Sequence, residues 1–262
     1  MLNRMEKLSA ENAKAIKLLD ESGILVVPSS GRTYCDLPQE IKENKNFRYI
    51  IHSNGAVIID RKTGRRELMC IPSETACAML DIINSYESHI TIRHNGECMV
   101  DGSKQSAEDY RYYNVQKGHG ELINKFARFS PNFTEESRLA ENIELLSVFF
   151  HDNGERAECK KRLLDLGDLL VAEAYDHNLE ICYYKAGKGN ALKKLAEITD
   201  TDINDTIAVG DSDNDVTAVL TAGLGLATEN ACLALKNVSD AVICSNEEHV
   251  IKYILDNYIE VL

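Results

Sequence analysis

Three aspartates and an asparagine crowd into five residues, Asp211-Ser212-Asp213-Asn214-Asp215, directly behind the short apolar run 206–209. Carboxylates this close repel one another unless protons or a cation hold them. A hard, oxygen-seeking ion such as Mg²⁺ answers that repulsion. Calcium in an EF-hand loop is the rival, since Asp211, Asp213 and Asp215 open with the right spacing. That loop requires Gly at its sixth position and Glu at its twelfth, and Val216 and Ala222 stand there instead. Asp211 is the best metal ligand and Asn214 a neutral donor to a phosphate. Asp215 is either a second ligand or the N-cap of the next helix.

Two further segments could meet an anion. Ser29-Ser30-Gly31-Arg32 follows a β-branched run, so hydroxyls and free backbone N–H groups converge where a phosphate could sit. Lys188-Gly189 opens a helical pattern, and an anion bound there would use both the ammonium and the positive end of the helix dipole. Lys185 competes for that role, with Gly189 favouring Lys188.

The elements that must position these residues alternate in type. Ser9 reads as an N-cap, and Ala13, Ile16 and Leu19 recur at helical spacing until Gly23. Residues 24–27 read as a strand closed by Pro28. Residues 49–51 and 57–59 are short apolar runs joined through Asn54-Gly55, a hairpin signal. From 61 to 182 the character changes to helix 73–86, paired strands 89–93 and 97–100, strand 143–150, helix 156–166, and strands 169–174 and 179–184. Residues 139–150 suit both helical and strand periods. Beyond 188, helices at 190–198, 216–221, 231–236 and 247–258 alternate with strands at 206–209, 225–227 and 241–244, Asn230 capping the third of these helices. This organisation predicts an α/β core from 1–60 and 183–262, Rossmann-like with a parallel sheet, and an inserted α+β cap domain over 61–182.

Composition narrows the partners. A formal charge of −13 argues against nucleic acid. No window is apolar enough to span a bilayer, and the first ten residues carry no secretory h-region. Eight scattered cysteines without CxxC spacing read as reduced thiols in the cytoplasm. The seven histidines show no zinc-ligand spacing.

In this order the motifs resemble the haloacid dehalogenase superfamily, and within it the Cof-like phosphatases of sugar phosphates. The run 24–27 with Ser30-Gly31-Arg32 is similar to that family's second motif, and Ser53-Asn54-Gly55-Ala56 to its turn before the cap. Lys188-Gly189-Asn190-Ala191-Leu192 is similar to the third motif. Gly210-Asp211 with Asn214-Asp215 is similar to the fourth, although Ala218 replaces the usual Met. The resemblance implies Mg²⁺-dependent hydrolysis of a small phosphorylated metabolite through an aspartyl-phosphate. Asp211 and Asp215 would hold the metal, Lys188 and Asp211 would act in catalysis, and Ser30, Gly31, Arg32, Lys188 and Asn214 would hold phosphate. The cap would close over the substrate.

One departure is large. The family opens on a strand ending in Asp-x-Asp-Gly-Thr, whose first Asp attacks phosphorus, whereas no Asp precedes Asp20 here. Residues 1–9 are similar to the segment just after that motif. The resemblance places the missing first strand centrally, between the strands ending at Val27 and Val209. A shortened start is the expectation, with negligible phosphatase activity for this exact polypeptide. A pseudoenzyme that binds a phosphate ligand without turnover, and a phosphosugar mutase, are the alternatives.

Overall fold

A computed structural model describes residues 1–259 of the protein. In chain order its strands are β1 (Tyr49–His52), β2 (Val57–Asp60), β3 (Arg66–Leu68), β4 (Ser88–His94), β5 (Glu97–Asp101) and β6 (Ala127–Ser130). They continue with β7 (Ile143–Phe150), β8 (Leu169–Ala172), β9 (Asn178–Tyr183), β10 (Ile207–Gly210), β11 (Leu224–Thr228) and β12 (Ala241–Ile243). Contacts divide the chain into two compact units. The first comprises residues 1–31, 37–67 and those from 187 on; the second comprises 32–36 and 68–186.

These limits differ from 60/61 and 182/183 for local reasons. β3 pairs onto β2, which keeps the 61–67 turn in the first unit. β9 runs to Tyr183 and the Ala186 amide donates to the Tyr183 carbonyl, which holds that end in the second. The Cys35 amide donates to the Gly96 carbonyl at 2.9 Å, tying 32–36, and with it Arg32, to the second unit.

In the first unit the Ala10–Glu21 helix starts where Ser9 Oγ accepts the Asn12 amide. Its buried stripe of Ala15, Ile16 and Leu19 follows the helical period. β1 and β2 form an antiparallel hairpin, Ile51 opposite Ile58, turned by Ser53 and Asn54 at positive φ. β10, β11 and β12 are parallel, in that order. Leu226, Ile243, Val250 and Ile254 form one small core against them, and Val219, Ala227, Ala231 and Leu235 another.

The expected strand at 24–27 is not one. Only the end of that segment pairs: Ser30 N donates to the Ile51 carbonyl and Ile51 N to the Pro28 carbonyl, with Ser29 bridging Ile51 in parallel sense. A β-branched run becomes a strand by pairing, and residues 24–27 have no partner strand among the described residues. Asn230 also departs from its expected place. The next helix, Leu233–Val238, begins after Cys232, and Asn230 Oδ1 accepts the Asn246 amide instead.

The second unit is built on one six-stranded sheet in the order β6-β5-β4-β7-β9-β8, antiparallel except for β5 with β6. β7 is buried along its whole length. The ambiguity at 139–150 resolves in both directions, because a helix, Phe133–Leu139, ends where the approach to β7 begins. Ile92, Leu146, Val148 and Ile181 face the helices Ser73–Ile83 and Asn153–Leu164 through Met79, Ile83, Cys159 and Leu163. The alternate positions mix apolar Leu145 and Phe149 with a polar trio, Arg93, Ser147 and Glu180. Arg93 Nη1 donates to Ser147 Oγ at 2.7 Å, and Ser147 Oγ donates to Glu180 Oε1 at 2.5 Å. Burial pushes the Glu180 carboxyl up, opposed by Arg93. Short helices at Ala107–Tyr112 and Lys117–Phe126 complete this unit.

All eight cysteines are free thiols. Among the described residues no helix is long and apolar enough to cross a membrane.

Candidate functional site

The site gathers at the carboxyl end of β10, entirely within the first unit. β10 ends at Gly210, and the chain turns through a short 3₁₀ segment, Asp213–Asp215, into the helix Val216–Thr221. In that turn Asp215 folds back over the strand end. Its Oδ2 accepts the amides of Asp211 (3.0 Å) and Ser212 (3.1 Å). A Cβ at position 210 would lie 2.3 Å from Asp215 Cβ, so this packing requires glycine there.

Asp215 Oδ1 accepts from Lys188 Nζ at 2.6 Å, in a pair whose side chains are 11% and 7% exposed. Two buried charges hold each other only when their remaining bonding capacity is filled. Here the 211 and 212 amides complete the carboxylate, and Asn214 Oδ1 takes a second Lys188 proton at 3.1 Å. Lys188 is presented at the first turn of the helix Lys188–Thr199, after Gly187. Lys185, the sequence competitor, lies in the second unit with its ammonium 5.8 and 5.6 Å from the Tyr183 and Tyr184 ring centroids.

Asn214 extends the network. Its Nδ2 donates to Asn54 Oδ1 at 2.8 Å, across 160 residues of sequence. Gly31 sits against both amides: a Cβ there would stand 2.8 Å from Asn54 Oδ1 and 3.1 Å from Asn214 Nδ2. Ser30 joins through the backbone, its carbonyl accepting the Asn54 amide at 3.1 Å. Gly31, Asn54, Asn214, Lys188 and Asp215 therefore form one contact chain, with Ser30 beside it.

The sequence-predicted residues separate into three groups. Ser30, Gly31, Lys188, Asn214 and Asp215 come together. Asp211 follows the strand end, exposed, and its carboxylate makes no hydrogen bond among the described residues. Arg32 belongs to the second unit, where its Nη1 donates to the Asp36 carbonyl at 3.4 Å. Asp215 serves neither as a simple N-cap nor as an uncommitted ligand, since both oxygens are engaged and its side chain caps no amide of the Val216–Thr221 helix. Asp213 turns to Cys232, whose Sγ donates to Asp213 Oδ1 at 3.1 Å.

Asn54 reads from the sequence only as a turn residue, yet its side chain joins the site. The signal was present, since an Asn-Gly pair at the end of an apolar run marks a left-handed turn. What the side chain reaches depends on where Asn214 and Gly31 are brought.

The donor set suits a hard cation only modestly. No group of three or more His, Cys, Asp or Glu side chains among the described residues gathers to hold a metal. Mg²⁺, however, binds through one or two carboxylates plus water and phosphate oxygens. Asp211, whose carboxylate is uncommitted, meets the one-carboxylate form of that requirement, whereas both oxygens of Asp215 are already engaged.

The family model of the haloacid dehalogenase-like hydrolases matches residues 1–255. Phosphatase YwpJ of Bacillus subtilis (strain 168) is 30% identical over 272 residues, covering 97% of this chain and 95% of that protein. The 5-amino-6-(5-phospho-D-ribitylamino)uracil phosphatase YwtE of the same organism is 30% identical over 274 residues, with 98% and 93% covered. The solved structure of a haloacid dehalogenase-like hydrolase from B. subtilis superposes with a TM-score of 0.77 at 26% identity, covering 98% of this chain and 96% of that one. The mixed α/β fold with a parallel-containing sheet is thus shared along nearly the whole chain. A lysine and an asparagine meet beside a glycine-lined strand end on the fold those proteins share, and the chain belongs to the haloacid dehalogenase-like hydrolases.

Proposed function

We propose that this site binds the phosphate of a small phosphorylated metabolite such as a sugar phosphate, as part of an Mg²⁺-dependent phosphomonoester hydrolase. The observation that carries the reading is the contact chain from Gly31 through Asn214 to the buried Lys188. Lys188 supplies a cation, and its pairing with Asp215 fixes its position. The Asn214 amide and the approach permitted by Gly31 supply donors without adding charge. Such fixed donors stabilise a transferring phosphoryl group because they need not reorient as charge develops. Asp211 would hold Mg²⁺ with Asp215 next to it, and the bound ion would neutralise phosphate charge. The named substrate of YwtE, a phosphorylated ribityl compound, fits the same chemical class.

Phosphate binding through Lys188 and Asn214 is the part of this reading that the described residues carry themselves. Calorimetric titration with glucose 6-phosphate and Mg²⁺ tests this. Saturable binding that weakens at least about tenfold in Lys188→Ala, roughly 1.4 kcal/mol, is the expected result. Absence of binding, or equal binding by the variant, removes the reading. Hydrolysis of p-nitrophenyl phosphate that is lost in Asp211→Asn would show that the chain carries a nucleophile of its own.

A further inference from the structure

An amide side chain has two chemically opposite ends, and the end that faces outward decides what it offers a ligand. At Asn214 one neighbour forces the choice. Lys188 Nζ is a donor only, so the Asn214 atom 3.1 Å from it is the oxygen. The nitrogen is thereby turned the other way, where it donates to Asn54 Oδ1 at 2.8 Å. Both amide oxygens then face protein donors, and the protons left over on the two amide nitrogens are donors. That polarity suits an anion.

The bond to Asn54 supplies something that Lys188 cannot. Asn214 is exposed, and the last torsion of an asparagine is soft. An anion binding to an unsupported amide would have to order it first, at a cost in affinity. Asn54 holds the amide from the side opposite Lys188, so both of its ends are fixed before a ligand arrives.

Asn54 is itself held by backbone. Its φ of 55° and ψ of 31° are left-handed, and its amide donates to the Ser30 carbonyl at 3.1 Å. The next residue, Gly55, packs on the start of the helix that carries Lys188. A Cβ there would lie 2.4 Å from the Gly187 carbonyl oxygen and 3.0 Å from the Lys188 nitrogen. The acceptor that orients Asn214 and the cation that fixes its other end are therefore set on touching backbone.

A left-handed turn alone would explain an asparagine at position 54, since Asn tolerates that conformation. Glycine would serve the turn as well, and the turn requires no particular side-chain partner. The bond to an amide already anchored on Lys188 is what that account leaves unexplained.

We propose that Asn54 is a positioning residue of the phosphate site: its Oδ1 holds the Asn214 amide with the oxygen on Lys188 and the N–H donors toward the ligand. The role presupposes that Lys188 and Asn214 bind phosphate. Asn54 acts through Asn214 and need not touch the ligand.

Asn54→Gly is the substitution to make, because it keeps the left-handed backbone and removes the acceptor. In calorimetric titration with glucose 6-phosphate and Mg²⁺ it should weaken binding about fivefold, the strength of roughly one hydrogen bond. Combined with Asn214→Ala it should add nothing to the loss that Asn214→Ala causes alone, since both remove the same donor. A residue that only shapes the turn would leave these affinities alone. Equal binding by Asn54→Gly and the parent, or losses that multiply in the double variant, overturns the role. NMR on the ligand-free chain decides independently of binding. The Asn214 side-chain amide protons should exchange with solvent at least about fivefold more slowly in the parent than in Asn54→Gly. Equal exchange overturns the role. Protection in a parent that does not bind glucose 6-phosphate would keep the orientation by Asn54 and remove the phosphate reading instead.

Discussion

The two units of this chain make their sheets with unequal completeness. In the second, β7 lies between β4 and β9, is buried at every position, and is sealed on one face by two amphipathic helices. In the first, β10 has a partner on one side only among the described residues, and the β-branched residues 24–27 are extended without becoming a strand. Residues 24–27 and 143–150 are comparably apolar. Strand character therefore belongs to a pairing rather than to a residue, and a run with high propensity stays unassigned until a neighbour supplies its hydrogen bonds.

Truncating side chains in both units puts the largest effect on that contrast. Phe149 is fully buried, and Phe149→Ala should cost about 3–5 kcal/mol in urea unfolding. Val209 is only half-buried on the open edge, so Val209→Ala should cost less than about 1 kcal/mol. Equal losses would mean that the first unit is packed as tightly as the second.

A smaller effect tests whether the first unit concentrates its order at the strand end. Lys188→Met leaves Asp215 charged and buried with two amide donors, which should cost on the order of 3 kcal/mol. Lys188→Met combined with Asp215→Asn should recover part of that stability. A single variant as stable as the parent would show that the pair contributes nothing to the fold.

The smallest expected effect is a pH dependence in the second unit. Burial pushes the His89 imidazole down to about 4, with the Lys104 ammonium adding to it. An unfolded histidine takes its proton near 6.5. The stabilisation is therefore fully present above about 6.5 and is lost as the pH falls toward about 4. At pH 5 the loss from His89 should be on the order of 2 kcal/mol. Comparing His89→Gln with the parent at pH 7 and pH 5 isolates it; an unchanged pH dependence in the variant would place the effect elsewhere.

Much of the molecule is legible along the chain because it is locally coded. The helix at 216–221 follows directly from apolar periodicity, and Ser9 marks the first helix through its cap. The Asn54-Gly55 hairpin needs only turn chemistry. The helices Ala107–Tyr112 and Lys117–Phe126 escaped that reading, since they bury few side chains and so carry little apolar signal. Residues 32–36 join the second unit through a bond between the Cys35 amide and the Gly96 carbonyl, which no local pattern encodes.

At the site, residue order alone establishes which groups are available: three aspartates, two amides, a lysine flanked by glycines, and a serine-glycine turn. Residue type and spacing set charge and hydrogen-bonding capacity, and those do not depend on the fold. The partners come from folding. It turned Asp215 onto Lys188, Asp213 onto Cys232 and Asn214 onto Asn54, and it carried Arg32 into the other unit. A carboxylate's role is set by what lies within about 3 Å of its oxygens; here the Lys188 partner of Asp215 is 27 residues away in sequence, and the Asn54 partner of Asn214 is 160.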